Sequence, residues 1–265
     1  MAPASRNIVV VATPTSPVLS HLLHALSLRS GFTITIITRE TAINVSPATE
    51  HSHGHKHENG HTNGHQHLSE ITHIQSDFSE SQLKTHLKDA ETIICVFQGS
   101  DVHLQAPIID VASSLPNIKL FIPSEFGLDT SNAKVRELLP PYQTRFEVQQ
   151  KLRSTALKWT AIYSGLCLED AMKTEGVFGI DALWGSVVVF PGAETMKVPI
   201  SSNKHIAHQI VETVNDDTNE SSEVWRAGFK ANIDELVGVA EKETDRVFDR
   251  YEGILDGARK EAKER

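Results

Sequence analysis

The chain has 265 residues, 39% of them hydrophobic and 22% charged, which is enough for one large α/β domain or a large domain with a small appendage. A formal net charge of −9 gives no general attraction to DNA, RNA or acidic membrane surfaces, so neither nucleic acid nor membrane is expected as a partner. No apolar run reaches the length of a membrane helix, and the opening Met1-Ala2-Pro3-Ala4-Ser5-Arg6 carries no secretory hydrophobic region. Cys95 and Cys167 are the only cysteines. Cys95 lies in an apolar run and reads as a small core residue, which makes a reducing, cytoplasmic setting the default expectation.

Ile8-Val9-Val10-Val11 reads as the first strand, followed by Ala12-Thr13-Pro14-Thr15-Ser16-Pro17-Val18. A helix-period segment with Leu22, Ala25, Leu26 and Arg29 comes next. This is the opening of a dinucleotide-binding fold without its phosphate-binding glycines. Ala12, Thr15 and Val18 stand at the three positions where glycine lets the backbone approach a pyrophosphate, and each side chain is expected to add bulk there. Pro17, after Ser16 as N-cap, suits a helix start but offers no N–H to an anion.

Phe32 to Thr38 reads as the second strand, ending before Arg39, and Ile71 to Ile74 as the third. Helices are expected over Ser81 to Lys88, His103 to Leu115 and Gln143 to Leu157, with strands over Thr92 to Phe97, Lys119 to Ile122 and Thr160 to Tyr163. Such alternation predicts a Rossmann-like parallel sheet with helices on both faces, over residues 1–164, and places any site along the strand C-terminal edge. After Ser164 the rhythm loosens around Gly165, Gly176, Gly179, Gly185 and Gly192. Residues 165–265 read as a smaller substrate-side region with terminal helices that partly completes the core. Within it, Val187 to Phe190 and Val224 to Ala227 are expected as strands, and His205 to Val214, Asn232 to Val247 and Tyr251 to Ala262 as helices.

Residues 51–67 read HSHGHKHENGHTNGHQH, with seven histidines and no large apolar residue to bury. They are expected to be a flexible insertion, bounded by residues 45–69, rather than part of a core. Neutral imidazoles bind divalent transition metals, so adventitious metal binding is the alternative reading of the tract. A catalytic metal site is not expected, because it draws fixed ligands from rigid elements.

Phe121-Ile122-Pro123-Ser124-Glu125-Phe126-Gly127 is the most specific segment. It resembles the fifth-strand signature of the NmrA-like and isoflavone reductase-like proteins, an atypical branch of the short-chain dehydrogenase/reductases, and the resemblance runs from Ile8 to roughly Val247. It implies NADPH as cofactor, a small-molecule substrate and an arginine, here Arg39, that receives the cofactor's 2′-phosphate. Gln105 falls in the expected helix, and Val198-Pro199-Ile200 through Ile206-Ala207 resembles the family's late strand–helix junction. The chain departs from the pattern twice. The glycine turn is lost, and the lysine four residues before the arginine matching Arg153 is Gln149. A glutamine donates hydrogen bonds but transfers no proton as an amine does. Lys151 lies about 200° round the helix from that position and does not replace it.

The candidate cofactor-binding residues are therefore Ala12, Thr13, Thr15 and Val18 in the first turn, Arg39, Phe97 and Gln98 after the fourth strand, and Pro123 after the fifth. The candidate catalytic residues are Gln149, Tyr163 and Glu125, each with a plain structural alternative as a packing residue, cap or loop organiser. Trp184, Phe178 and Phe190 read as either an aromatic pocket or the core of the small region. Three functions follow: an NADPH-dependent reductase of an aromatic or polyketide-like metabolite, a redox-neutral cyclase, isomerase or dehydratase without nicotinamide, and a non-catalytic regulator or pseudoenzyme.

Overall fold

The computed structural model describes residues 6–39, 69–173, 178–216 and 221–264. The histidine-rich stretch and the metal binding weighed for it lie outside the described residues. β1 (Arg6–Ala12) is rich in β-branched residues, and its alternate side chains enter two different cores. Ile8, Val10 and Ala12 face one layer, Val9 and Val11 the other. That double burial is what a central parallel strand requires.

α1 (Pro17–Ser27) begins with Pro17 in its first turn, and β2 (Phe32–Thr38) forms over the span its alternation predicts. β3 (Ile71–Gln75), α2 (Glu80–Leu87), β4 (Thr92–Val96), a 3-10 turn (Gly99–Leu104), α3 (Gln105–Ser113) and β5 (Leu120–Ile122) follow. The strands make a parallel sheet in the order β3-β2-β1-β4-β5, with Ile8 opposite both Ile34 and Thr92. The strand order turns back between β1 and β4, so the ligand crevice of such a sheet opens beyond their C-terminal ends.

α4 (Ala133–Leu138) and α5 (Pro141–Arg153) lead to β6 (Thr160–Tyr163). This strand carries the layer past β5 through a parallel bridge between Phe121 and Trp159 and a 2.9 Å bond from the Phe121 N–H to the Lys158 carbonyl. Leu83, Ile108, Ile109, Val148 and Leu152 cover one face of the sheet. Leu19, Leu22 and Leu26 of α1 cover the other.

Short elements complete the chain: β7 (Leu166–Cys167), α6 (Leu168–Lys173), β8 (Ile180–Asp181), β9 (Ser186–Val189), β10 (Val198–Ser201), α7 (Asn203–Asn215), β11 (Ser222–Trp225), β12 (Phe229–Ala231), α8 (Ile233–Thr244), β13 (Asp249–Glu252) and α9 (Leu255–Glu264). α7 adds Ile206, Ile210 and Val214 to the α1 layer. β11 pairs parallel with β6, setting Trp225 beside Tyr163. Val187, Ile233, Val237 and Phe248 form a separate small core. Among the described residues, no helix is long and apolar enough to cross a membrane.

Several boundaries differ from the sequence reading. The helix expected over His103 to Leu115 is split, because residues 99–104 wind as a 3-10 turn entered through Gly99 at φ +55°. α5 stops at Arg153, where the Ser154 and Thr155 hydroxyls donate back to the Lys151 and Leu152 carbonyls. Tyr251 belongs to β13, not to a helix, and pairs with Val188. α4, capped by the Asn132 side chain on the Lys134 N–H, has no counterpart in the sequence reading.

Candidate active site and its two sides

Two groups of residues meet the C-terminal edge of the sheet. The first surrounds the turn after β1. Thr13 donates its N–H to the Val96 carbonyl at 3.1 Å, which ties this turn to β4. The Ser16 N–H bonds to the Thr13 carbonyl and the Leu19 N–H to the Ser16 carbonyl, each at 3.0 Å, and Pro17 has no N–H. Two of the donors that a helix start would offer an anion are thus already committed, and a third is missing at Pro17.

The expected bulk at this turn is only partly where the sequence reading puts it. Val18 packs inward with α1, Ala12 is buried beside the crevice, and Thr15 alone of the three is exposed. At these three positions the side chains fill the core more than they stand over a phosphate.

Ala12, Pro14, Arg39, Phe78, Phe97 and Asp101 line a crevice of about 260 Å³. Arg39 lies 3.7 Å from the Asp101 carboxylate, whose other oxygen accepts from the Thr13 hydroxyl at 3.0 Å. The same Thr13 oxygen accepts the Gln98 N–H at 3.3 Å. Phe97 is buried, edge-on to Phe78, and its backbone N–H and carbonyl both bond to the Ser124 hydroxyl. Ser124 is held in turn by its N–H on Gln105 Oε1 at 2.7 Å. Pro123 is buried, and its carbonyl takes the Glu125 N–H at 2.9 Å.

The second group brings the three candidate catalytic residues together. Gln149 is fully buried, and its amide nitrogen donates to the Thr130 hydroxyl oxygen at 2.7 Å and to the Tyr163 hydroxyl oxygen at 2.8 Å. The Thr130 hydroxyl donates to Glu125 Oε2 at 3.2 Å. Arg153 reaches Gln149 Oε1 at 3.5 Å while paired with Glu223. Burial pushes the Glu125 carboxyl up to about 7, against the opposing pull of Arg145, Gln149 and Thr130. Among the described residues, Glu125 Oε1 has no hydrogen-bond partner. Burial likewise raises Tyr163 to about 12, so its hydroxyl is protonated at neutral pH.

Tyr163 also borders an open cleft of about 640 Å³, with Gly127, Asp129, Lys197, Trp225 and Phe229 among its walls. The Trp225 and Tyr163 rings are 5.4 Å apart, and Trp225 is 62% exposed. Gly165 makes this corner: it sits at φ +80°, where a Cβ would collide with the Pro199 backbone, so only glycine lets β7 pass β10. Trp184 lies on the exposed turn between β8 and β9, and neither it nor Phe178 nor Phe190 lines the cleft.

Sequence reasoning did not single out Asp101, Thr130 or Trp225. Asp101 follows the Gly99 turn and Thr130 lies in Asp129-Thr130-Ser131-Asn132, both of which read as ordinary turn chemistry. No spacing rule links Thr130 to a glutamine 19 residues away. Among the described residues, no group of three or more His, Cys, Asp or Glu side chains is placed to hold a metal.

Comparison with known proteins agrees with this architecture. The model of the NmrA-like family matches residues 7–254. An oxidoreductase, aprR, of Aspergillus flavus is 28% identical over 157 residues, covering 58% of this chain and 46% of that protein. Isoflavone reductase of Pisum sativum is 22% identical over 165 residues, covering 62% and 51%. The chain thus spans about half the length of the curated relatives it matches. Among solved structures, AtPrR2 with NADP+ and (+)pinoresinol superposes with a TM-score of 0.71 at 16% identity, over 95% of this chain and 80% of that one. At that identity the likeness is one of fold.

The residues here do not fit the pyrophosphate of such a dinucleotide. The Ser16 and Leu19 N–H groups are spent on the turn itself, Pro17 has none, and Asp101 adds a carboxylate beside Arg39, the one arginine among the described residues that line the crevice.

Proposed function

The chain belongs to the NmrA-like family, and within it we propose a protein that binds a small aromatic molecule in the Tyr163–Trp225 cleft without transferring hydride to it. One observation carries this reading. At the position of the reductase lysine, Gln149 is fully buried with its amide nitrogen bonded to Thr130 and Tyr163. That group has neither an ionisable amine nor a free donor for a reacting carbonyl. The cleft beside it remains open, with exposed aromatic walls at Trp225 and Phe229.

Two other readings each have support of their own. NADPH-dependent reduction is favoured by Arg39 at the end of β2 and by the names of the relatives, an oxidoreductase and an isoflavone reductase. Redox-neutral proton transfer is favoured by Glu125, whose carboxyl near 7 could exchange a proton at neutral pH. A hydroxyisoflavone incubated with the wild type and with Gln149→Lys, with and without NADPH, separates the three. Calorimetric binding with no NADPH consumption and no change of compound is the expected result for both proteins. A product two mass units heavier with stoichiometric NADPH loss would establish the reductase, and an isomeric or dehydrated product without NADPH would establish redox-neutral chemistry.

A further inference from the structure

We infer that Asp101 is an internal anion that occupies the charge-recognition role of a ligand phosphate, and so keeps the β1–β4 crevice closed to phosphorylated nucleotides. Arg39 stands at the end of β2, where a guanidinium can fork onto a phosphate in this fold. Instead it faces Asp101 Oδ1 at 3.7 Å. The carboxylate is not a passing surface group. Oδ2 accepts the Thr13 hydroxyl at 3.0 Å, Thr13 accepts the Gln98 N–H at 3.3 Å, and the Asp101 N–H bonds to the Gln98 carbonyl at 3.1 Å.

These bonds connect the turn after β1 to the 3-10 turn after β4, across the point where the strand order reverses. A phosphate placed on Arg39 meets a like charge held beside it, and like charges juxtaposed in a binding site oppose binding. Phe78 and Phe97, packed edge to face, both line the pocket around the pair. Phe78 holds this place at φ +60°, a backbone region that a bulky residue rarely adopts. The crevice thus keeps an aromatic wall and a guanidinium but answers the guanidinium from within the chain.

This inference is independent of whether the cleft at Tyr163 turns over a substrate. Its probe is adenosine 2′,5′-bisphosphate, which carries a 2′-phosphate and no nicotinamide, titrated calorimetrically into the full chain. The wild type is expected to bind it weakly. Asp101→Asn keeps an acceptor for the Thr13 hydroxyl while removing the charge, and should bind at least roughly tenfold more tightly. Adding Arg39→Ala to that variant should abolish the gain. Should Asp101→Asn fail to fold, Asp101→Ser serves the same comparison, with thermal unfolding as the control for integrity. Equal binding by wild type and the charge-removed variant overturns the inference, as does a gain that survives loss of Arg39.

Discussion

The two sides of the sheet's C-terminal edge use their polar groups in opposite ways. On the β1–β4 side the polar groups answer one another: Thr13, Gln98 and Asp101 are linked, Arg39 pairs with Asp101, and the Ser16 and Leu19 N–H groups bond within the turn. At β6 a buried polar set backs an open cleft of about 640 Å³ with a largely exposed tryptophan. The two sides depend on different local chemistry. Backbone donors and charge serve the first, and shape and aromatic area serve the second. Fold likeness alone transfers neither.

The largest effect expected from testing this contrast lies in the buried set. Glu125 is protonated more readily in the folded chain, at about 7, than at its ordinary 4.5. The folded state therefore binds more protons between these values, and stability should fall as pH rises from about 4.5 to about 7, then level off. Glu125→Gln removes the ionisation while keeping an acceptor for Thr130. It should flatten that slope and raise stability above pH 7 by roughly 1–3 kcal/mol, with little change at low pH. Urea unfolding at several pH values reads this directly. An unchanged slope would mean that Glu125 is solvated and that the two sides of the edge are equally open.

A smaller effect is expected at the cleft wall. Trp225→Ala removes an aromatic surface that is 62% exposed but touches the Tyr163 ring. Binding of a hydroxyisoflavone, followed by calorimetry, should weaken roughly tenfold, while stability changes by about 1 kcal/mol or less. Unaltered affinity would move the ligand away from this cleft.

The sheet was legible because burial on both faces leaves a direct trace in sequence. Ile8 to Val11, Phe32 to Thr38 and Thr92 to Val96 are nearly continuous apolar or β-branched runs. The family-marking segment Phe121 to Gly127 also identified the strand that carries Ser124 and Glu125 to the edge. The absence of the lysine was equally visible, as was the loss of the glycines. What replaced their chemistry was not. The bonds from Gln149 to Thr130 and from Thr13 to Asp101 span 19 and 88 residues, and each depends on a turn whose sequence reads only as a turn. β13 was misread for a related reason: its pairing with β9, not its own periodicity, makes it a strand.

The smallest expected effect concerns Thr13, and it separates two ways of closing the β1–β4 crevice. The Thr13 hydroxyl both donates to Asp101 and accepts from the Gln98 N–H, in a partly buried setting. Thr13→Val keeps the branched shape and deletes both bonds, which should lower stability by about 1 kcal/mol in urea unfolding. It leaves the charge of Asp101 in place. If the closure is electrostatic, this variant should still bind adenosine 2′,5′-bisphosphate as weakly as the wild type. If the hydroxyl link alone holds the crevice shut, binding should appear once the link is cut, even with Asp101 ionised. Weak binding after the stability loss would place the discrimination on the carboxylate and leave Thr13 the narrower task of fixing its position.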